Sequence, residues 1–124
     1  MNNKSIKSLL NSDATYKISG KLWIECNGEK FFGPGPVELL VLIEQTGSIN
    51  KAAKEMNMSY KKAWEIINML NELAVHPLVI TQSGGEKGGG SVITEKAKQL
   101  IEYHKQLRER FEAFLEKETA RLSL

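Results

Sequence analysis

The sequence predicts an α+β fold in which helices combine with two β-hairpins and a long helix ends the chain. Three observations lead to this prediction. Alternating apolar and polar residues precede an Asn27-Gly28 pair, which is the pattern of a strand and a tight turn. Apolar residues at helical spacing fill the middle of the chain, and two short β-rich runs then enclose a glycine-rich loop.

Length and composition indicate one globular domain. The chain has 124 residues, 41% hydrophobic and 26% charged, and its one cysteine, Cys26, suits a reducing compartment. Residues 1–15 are polar and lack the apolar core of a signal peptide. No run reaches the ~18 apolar residues of a membrane span. We therefore expect a cytoplasmic protein with a polar N-terminal tail over residues 1–15 and no membrane partner.

The first hairpin is predicted from the alternation of apolar and polar residues over residues 16–26. Tyr16, Ile18, Leu22, Ile24 and Cys26 would share one face of a strand. Asn27 and Gly28 both tolerate positive φ, so they predict a two-residue turn. Residues 29–32 form the return strand. We expect the domain that begins with this hairpin to cover residues 16–94.

Three helices follow the hairpin. Pro36 suits the first position of a helix that ends at Thr46, because Gly47 is a natural stop. Ser48 is placed to cap a short second helix, and its apolar positions follow the i, i+3, i+4, i+7 pattern: Ile49, Ala52, Ala53 and Met56. After a turn at Asn57, Ser59 caps a third helix over residues 60–74. Its predicted buried residues are Ala63, Trp64, Ile67, Leu70 and Ala74.

A short helix, a turn of about three residues and a longer helix are typical of the helix-turn-helix motif. In that motif, the N-terminus of the second helix enters the major groove of DNA. The predicted DNA-binding residues here are Lys51, Lys54, Ser59, Tyr60, Lys61, Lys62 and Asn68. Lysine suits phosphate or guanine contacts, and asparagine pairs with adenine where it reaches a base.

The glycine-rich stretch "SGGEKGGGS", residues 83–91, lies between the β-rich runs 78–81 and 91–94. A hairpin directly after a recognition helix is the wing of a winged helix-turn-helix domain. Glycines let the main chain approach a phosphate closely, and Lys87 adds one positive charge. We expect Lys87, Gly88 and Gly89 to contact the DNA backbone or the minor groove.

The final helix is predicted to begin after Thr94, which can cap it, and to run to about Lys117. Its apolar positions and one histidine repeat at spacings of three and four residues, which is a short heptad seam. We expect residues 95–124 to form a dimerisation helix in a homodimer. The predicted interface residues are Leu100, His104, Leu107, Phe111 and Phe114.

Enzyme chemistry is disfavoured. The glycine loop lacks the Gly-Lys-Ser/Thr of a phosphate-binding loop, because Gly88 follows Lys87. The loop also joins two strands and does not open a helix, so it does not match a dinucleotide site. His76 and His104 lack further metal ligands at suitable spacing. We expect no enzyme activity, no cofactor and no metal. The alternative to DNA binding is a winged-helix module that binds only protein.

Two segments carry a resemblance to a known family: "GSINKAAKEMNMSYKKAWEIINMLNEL" and "PLVITQSGGEKGGGSVITEKAKQLIEYH". They resemble the DNA-binding domain of the bacterial molybdate-responsive transcriptional regulators, most specifically in "SYKKAW", "INMLNEL" and "GGEKGGGSVIT". The resemblance implies a winged helix-turn-helix homodimer that binds a palindromic operator on double-stranded DNA. It also implies that residues 59–62 lie at the DNA surface. Well-known members carry a second, molybdate-binding half, which residues 1–124 do not include, so we do not expect molybdate to bind this chain.

Overall fold

The computed structural model describes residues 6–82 and 90–123. Within those ranges the chain forms four helices and two antiparallel strand pairs, so the architecture is α+β as predicted. The elements in chain order are β1 (Ile24–Cys26), β2 (Glu29–Phe32), α1 (Pro34–Thr46), α2 (Ile49–Glu55), α3 (Tyr60–Leu73), β3 (Val79–Gln82), β4 (Gly90–Ile93) and α4 (Glu95–Arg121).

The chain divides into two compact units. One unit covers residues 23–104 and contains both strand pairs and the helices α1 to α3. The other unit contains the described residues before Trp23 together with residues 105–123. No helix in the described ranges combines the length and apolar content that a membrane span requires.

The first hairpin is present but shorter than the alternation predicts. Asn27 and Gly28 take positive φ values of 54° and 82° and close a turn between Cys26 and Glu29, as predicted. The predicted strand over residues 16–26 is wrong in extent, because β1 begins only at Ile24. A strand needs a hydrogen-bonding partner. β2 ends at Phe32, and α1 begins two residues later at Pro34.

The helix boundaries follow local signals closely. α1 begins at Pro34, two residues before the predicted start, because a proline at the first helical position loses no hydrogen bond. Gly47 ends α1 with φ 71° and donates its amide to the Ile43 carbonyl at 2.7 Å. Asn57 takes φ 55° in the turn between α2 and α3, which confirms its predicted left-handed conformation.

Three predicted caps are confirmed by hydrogen bonds. The Ser48 hydroxyl accepts from the Lys51 amide at 3.1 Å, and the Ser59 hydroxyl accepts from the Lys62 amide at 3.0 Å. The Thr94 hydroxyl accepts from the Ala97 amide at 3.2 Å at the start of α4. Such a cap stabilises a helix by roughly 1 kcal/mol.

The core of the first unit collects the apolar faces of its helices and strands. Its largest fully buried side chains are Phe32, Leu39, Leu40, Ile43, Ile67 and Leu70. Small residues are buried with them on α2 and α3, namely Ala52, Ala53 and Ala63. Alanines at these positions leave room for two helices to approach closely. The buried stripe of α3 therefore fixes which of its residues face outward.

The predicted heptad seam divides between two environments. Its first residues belong to the core of the same chain: Ala97 is buried, Leu100 packs against the core, and His104 is 2% exposed. The His104 ring meets Phe32 edge to face, with centroids 5.5 Å apart. Leu100 and His104 thus pack within their own chain, and their predicted place in a dimer interface stays a prediction. Periodicity alone does not distinguish a core stripe from an interface stripe.

The second unit pairs an extended segment with the C-terminal half of α4. The Ile18 amide donates to the Thr119 hydroxyl at 2.9 Å, and the Phe111 ring lies against Gly20. A groove of about 740 Å³ is lined by residues 15–20 and by one face of the helix, including Leu115 and Ala120. Of the remaining seam residues, Leu107 and Phe111 are half-buried and Phe114 is 57% exposed.

Candidate nucleic-acid interface

Helix α3 separates its polar and apolar faces. Ala63, Ile67 and Leu70 are buried, so the helix is anchored in the core on one side. The predicted DNA-binding residues of this region are all exposed. Lys61, Lys62 and Asn68 lie away from the buried stripe, and Ser59 and Tyr60 lie at the N-terminal end of the helix. The structure therefore places these five residues where a large partner can reach them.

Four lysines carry the positive charge of this region: Lys51 and Lys54 on α2, and Lys61 and Lys62 on α3. We call them the lysine set. All four are exposed, and within residues 6–82 and 90–123 none of them forms an ion pair with a carboxylate. Exposed Glu55 and Glu65 share these helices. The lysine charges are thus available to an anionic partner.

The N-terminus of α3 adds to the positive potential of the lysine set. Ser59 satisfies the Lys62 amide, and the amides of Tyr60 and Lys61 belong to the first turn, which has no intrahelical acceptors. These amides and the helix dipole favour a negative group at this end of the helix. The Tyr60 ring is 51% exposed and meets Trp64 edge to face at 6.1 Å. Trp64, predicted as core, is only partly buried.

Asn71 connects α3 to β3, a role that the sequence pattern did not reveal to us. Its side-chain oxygen accepts from the Leu78 amide at 2.8 Å and the Val79 amide at 3.1 Å. Its side-chain nitrogen donates to the Val79 carbonyl at 3.1 Å. A signal was present in the sequence, because Asn71 occupies a polar position in the i, i+3, i+4, i+7 row that starts at Ile67.

The second strand pair follows α3 as predicted. β3 begins one residue later than the predicted run 78–81, and β4 begins one residue earlier than the predicted run 91–94. Ile80 pairs with Val92, and Gln82 pairs with Gly90 at the end next to the connecting segment 83–89. The Ser91 amide donates to the Gly47 carbonyl at 2.9 Å, so β4 is tied to the turn between α1 and α2. Residues 83–89, with the predicted contacts Lys87, Gly88 and Gly89, lie outside the described residues.

A cleft of about 290 Å³ lies beside the N-terminus of α3. It is lined by residues from the starts of α2 and α3 and from the ends of β3 and β4 next to the connecting segment 83–89. These residues are Ser48, Ile49, Asn50, Tyr60, Trp64, Thr81, Gln82, Gly90 and Ser91. No group of three His, Cys, Asp or Glu residues with metal-site geometry occurs in the described part of the chain. The cleft offers hydrogen-bonding groups, and the lysine set offers positive charge.

Comparison with known proteins shows that the chain is similar to proteins named as transcriptional regulators. No protein-family model matches the chain. It is 39% identical over 83 residues, 67% of its length, to the DNA-binding transcriptional dual regulator ModE of Escherichia coli K12. It is 38% identical over 87 residues, 70% of its length, to the molybdenum transport protein ModE of Azotobacter vinelandii. Over that length, the chain is similar to a fragment of the ModE proteins.

The relationship to ModE extends to proteins with other names. The molybdenum-pterin-binding protein MopB of Rhodobacter capsulatus is 44% identical over 69 residues, which is 56% of this chain and 26% of MopB. This chain spans about a third of the length of the ModE relatives, 32% in both of the cases above. The resemblance found in the sequence motifs is thus confirmed.

Proposed function

We propose that this chain is a sequence-specific, DNA-binding transcriptional regulator of the winged helix-turn-helix type that works in the cytoplasm. In this proposal, α3 enters the major groove and residues 83–91 form a wing on the backbone or in the minor groove. The main supporting observation is the lysine set, exposed and without carboxylate partners among the described residues, around a helix whose opposite face is anchored in the core. The name of the E. coli relative, a DNA-binding regulator, agrees with it.

The exposed face of α3 has the reach that base reading requires. Lys61 and Asn68 are two helical turns apart, which is roughly 10 Å along the helix axis. Three base-pair steps cover about the same distance. Lys61 and Lys62 suit guanine or phosphate, and Asn68 suits adenine, with each good bidentate base contact worth about 1–3 kcal/mol of discrimination. Lys51 and Lys54 suit flanking phosphates.

We also propose that the active species is a homodimer. The proposed interface centres on Phe114 of α4 and includes the half-buried Leu107 and Phe111 beside it. Leu100 and His104, which were also predicted there, pack against the core of their own chain. Phe114 is a large apolar side chain that is 57% exposed, and a second copy would remove it from water. A two-fold symmetric dimer would place two recognition helices on half-sites about one helical turn of DNA apart.

A salt-dependent binding measurement tests the DNA proposal. Genome-wide selection of bound fragments first supplies a labelled duplex of about 30 base pairs, which is long enough for two half-sites. Fluorescence anisotropy then compares the wild type with the double variant Lys61→Ala/Lys62→Ala. We expect at least about tenfold weaker binding and a salt slope reduced by roughly 0.9 for each phosphate that these lysines neutralise. Sodium molybdate in the same assay is expected to leave the affinity unchanged.

The control variant Lys17→Ala/Lys21→Ala removes the same charge from two exposed positions outside the proposed surface. It is expected to bind nearly as tightly as the wild type. If Lys61→Ala/Lys62→Ala also retains full affinity, α3 is not the recognition helix. If the wild type binds no duplex even at low salt, the alternative of a protein-binding module replaces the DNA proposal.

A further inference from the structure

Most of the described residues that line the cleft beside the N-terminus of α3 carry neutral hydrogen-bonding groups. Hydroxyl side chains line it from three elements or turns, namely Ser48, Thr81 and Ser91, and Tyr60 adds a phenol. Amide side chains line it as well, and its described lining includes no carboxylate and no lysine or arginine. Its volume of about 290 Å³ is at the low end for small-molecule sites, which suits one small polar group.

Ser91 gives the cleft a hydrogen-bond donor that is held in place. The residue is only 5% exposed, yet it lines the cleft. Its hydroxyl makes no hydrogen bond with any of the residues the structure describes, although its main-chain amide bonds to the Gly47 carbonyl. Enclosed polar groups in folded proteins nearly always have a partner. The Ser91 hydroxyl is therefore available to a molecule that enters the cleft.

The backbone around Ser91 keeps this donor in position. A Cβ on Gly90 would lie 3.3 Å from the Gly47 carbonyl oxygen. The absent side chain therefore lets the start of β4 approach the turn between α1 and α2 closely. The hydrogen bond of 2.9 Å from Ser91 to the same oxygen then fixes the strand. A preorganised donor of this kind binds at a lower entropic cost than one on a free loop.

The electrostatics of the cleft favour an anion. Tyr60 is the first residue of α3, a helix of 14 residues, and its end of the helix dipole is positive. The described lining offers hydroxyl and amide donors without an opposing carboxylate. The described lining residues would therefore hold an anion through hydrogen bonds and the helix dipole.

We propose that this cleft binds one phosphate group of the DNA backbone, with the Ser91 hydroxyl as a donor to a phosphate oxygen. The inference rests on the proposed DNA binding and adds a contact that the lysine set does not supply. The phosphate would be held between the start of the recognition helix and the Gln82–Gly90 end of β3 and β4. It would therefore fix the register of α3 on the duplex without reading a base.

A variant and a modified DNA test this contact together. Ser91→Ala is expected to bind the selected duplex about tenfold more weakly, which is the loss of one hydrogen bond to a charged acceptor. The salt slope is expected to stay unchanged, since no cation is removed. Scanning the duplex with single neutral methylphosphonate linkages is expected to find one position at which Ser91→Ala causes no further loss.

Additive losses at every scanned position would overturn the cleft proposal while leaving DNA binding by the lysine set intact. Ser19→Ala, at an exposed position in the other unit, is the control and should bind as the wild type does. Should Ser91→Ala fail to fold by circular dichroism, Thr81→Val alters an exposed lining residue and is expected to show the same coupling to the same linkage.

Free anions are distinguished by a measurement without DNA. Inorganic phosphate and sulfate at millimolar concentration are expected to shift the thermal unfolding of the wild type and Ser91→Ala equally. If either anion stabilises the wild type and not Ser91→Ala, the cleft is a site for a free oxyanion, and its assignment to the DNA backbone is overturned.

Discussion

Positive charge is arranged differently in the lysine set and in the C-terminal half of α4. The lysine set of α2 and α3 has no carboxylate partner within the described residues. In the C-terminal half of α4, Arg108 pairs with Glu112 at 3.1 Å and Arg121 pairs with Glu118 at 3.2 Å. Such intrahelical pairs contribute only about 0.2–0.5 kcal/mol. They do, however, neutralise the charge that a nucleic acid would attract.

Apolar side chains also differ between the core of residues 23–104 and the C-terminal half of α4. In that core Leu39, Leu40 and Ile43 are fully buried. The same unit also carries exposed aliphatic side chains, namely Leu73, Val75, Ile80 and Val92. The C-terminal half of α4 leaves Phe114 more than half exposed and borders a groove of about 740 Å³. The comparison favours a nucleic-acid surface on the first unit and a protein contact on the second. Three variants test this division, in order of decreasing expected effect.

The largest effect is expected at the connection between α3 and β3. Asn71→Leu removes three hydrogen bonds and leaves the buried Leu78 and Val79 amides without their acceptor. We expect the free energy of unfolding in urea to fall by about 2 kcal/mol, the usual cost of unpaired buried polar groups. Glu72→Leu, at the exposed neighbouring position, is expected to change it by less than about 0.5 kcal/mol. Equal stability of the two variants would refute the role of Asn71.

The next effect is expected on the second unit. Phe114→Ser removes an exposed apolar side chain, so we expect little change in the stability of the monomer and about tenfold weaker dimerisation in sedimentation equilibrium. Val75→Ser, at a residue that is 93% exposed, provides the control and should leave the dimer unaffected. A wild type that stays monomeric at micromolar concentration would refute the proposed dimer contact on the second unit.

The smallest effect is expected from Lys87→Ala, in the segment between β3 and β4 that lies outside the described residues. If this lysine contacts one phosphate, affinity should fall by a similar factor on selected and unrelated duplexes, and the salt slope should fall by roughly 0.9. Binding to both duplexes is measured by anisotropy over a range of salt concentrations. A loss confined to the selected duplex would instead assign Lys87 to base reading.

Much of the segment from α1 to α4 was predictable because its signals are local. Ser48, Ser59 and Thr94 cap helices through atoms only three residues away, and Asn57 and Gly47 adopt left-handed conformations through their own backbone preferences. None of these features needs a distant partner. The same locality explains why the start of α3 was predicted to the residue.

Features that join distant residues were not predictable in the same way. Alternation over residues 16–22 looks like a strand, but the return strand is too short to pair with it. His104 fits a heptad seam, yet its ring packs against Phe32, more than 70 residues earlier in the chain. Asn71 was visible as a polar break in an apolar row, although its hydrogen-bond partners, the Leu78 amide and the Val79 amide and carbonyl, were not.

The sequence by itself determined the order of the elements, their caps and turns, the exposed lysine face of α3 and the relationship to ModE. These depend on residue type and on spacing within one or two helical turns. Only the tertiary structure decided how far β1 extends, which seam residues are buried and how Asn71 holds β3. It also decided that Ser91, Tyr60 and Ser48 border one cleft. Such features arise when folding brings separate segments into contact, and spacing along the chain does not encode those distances.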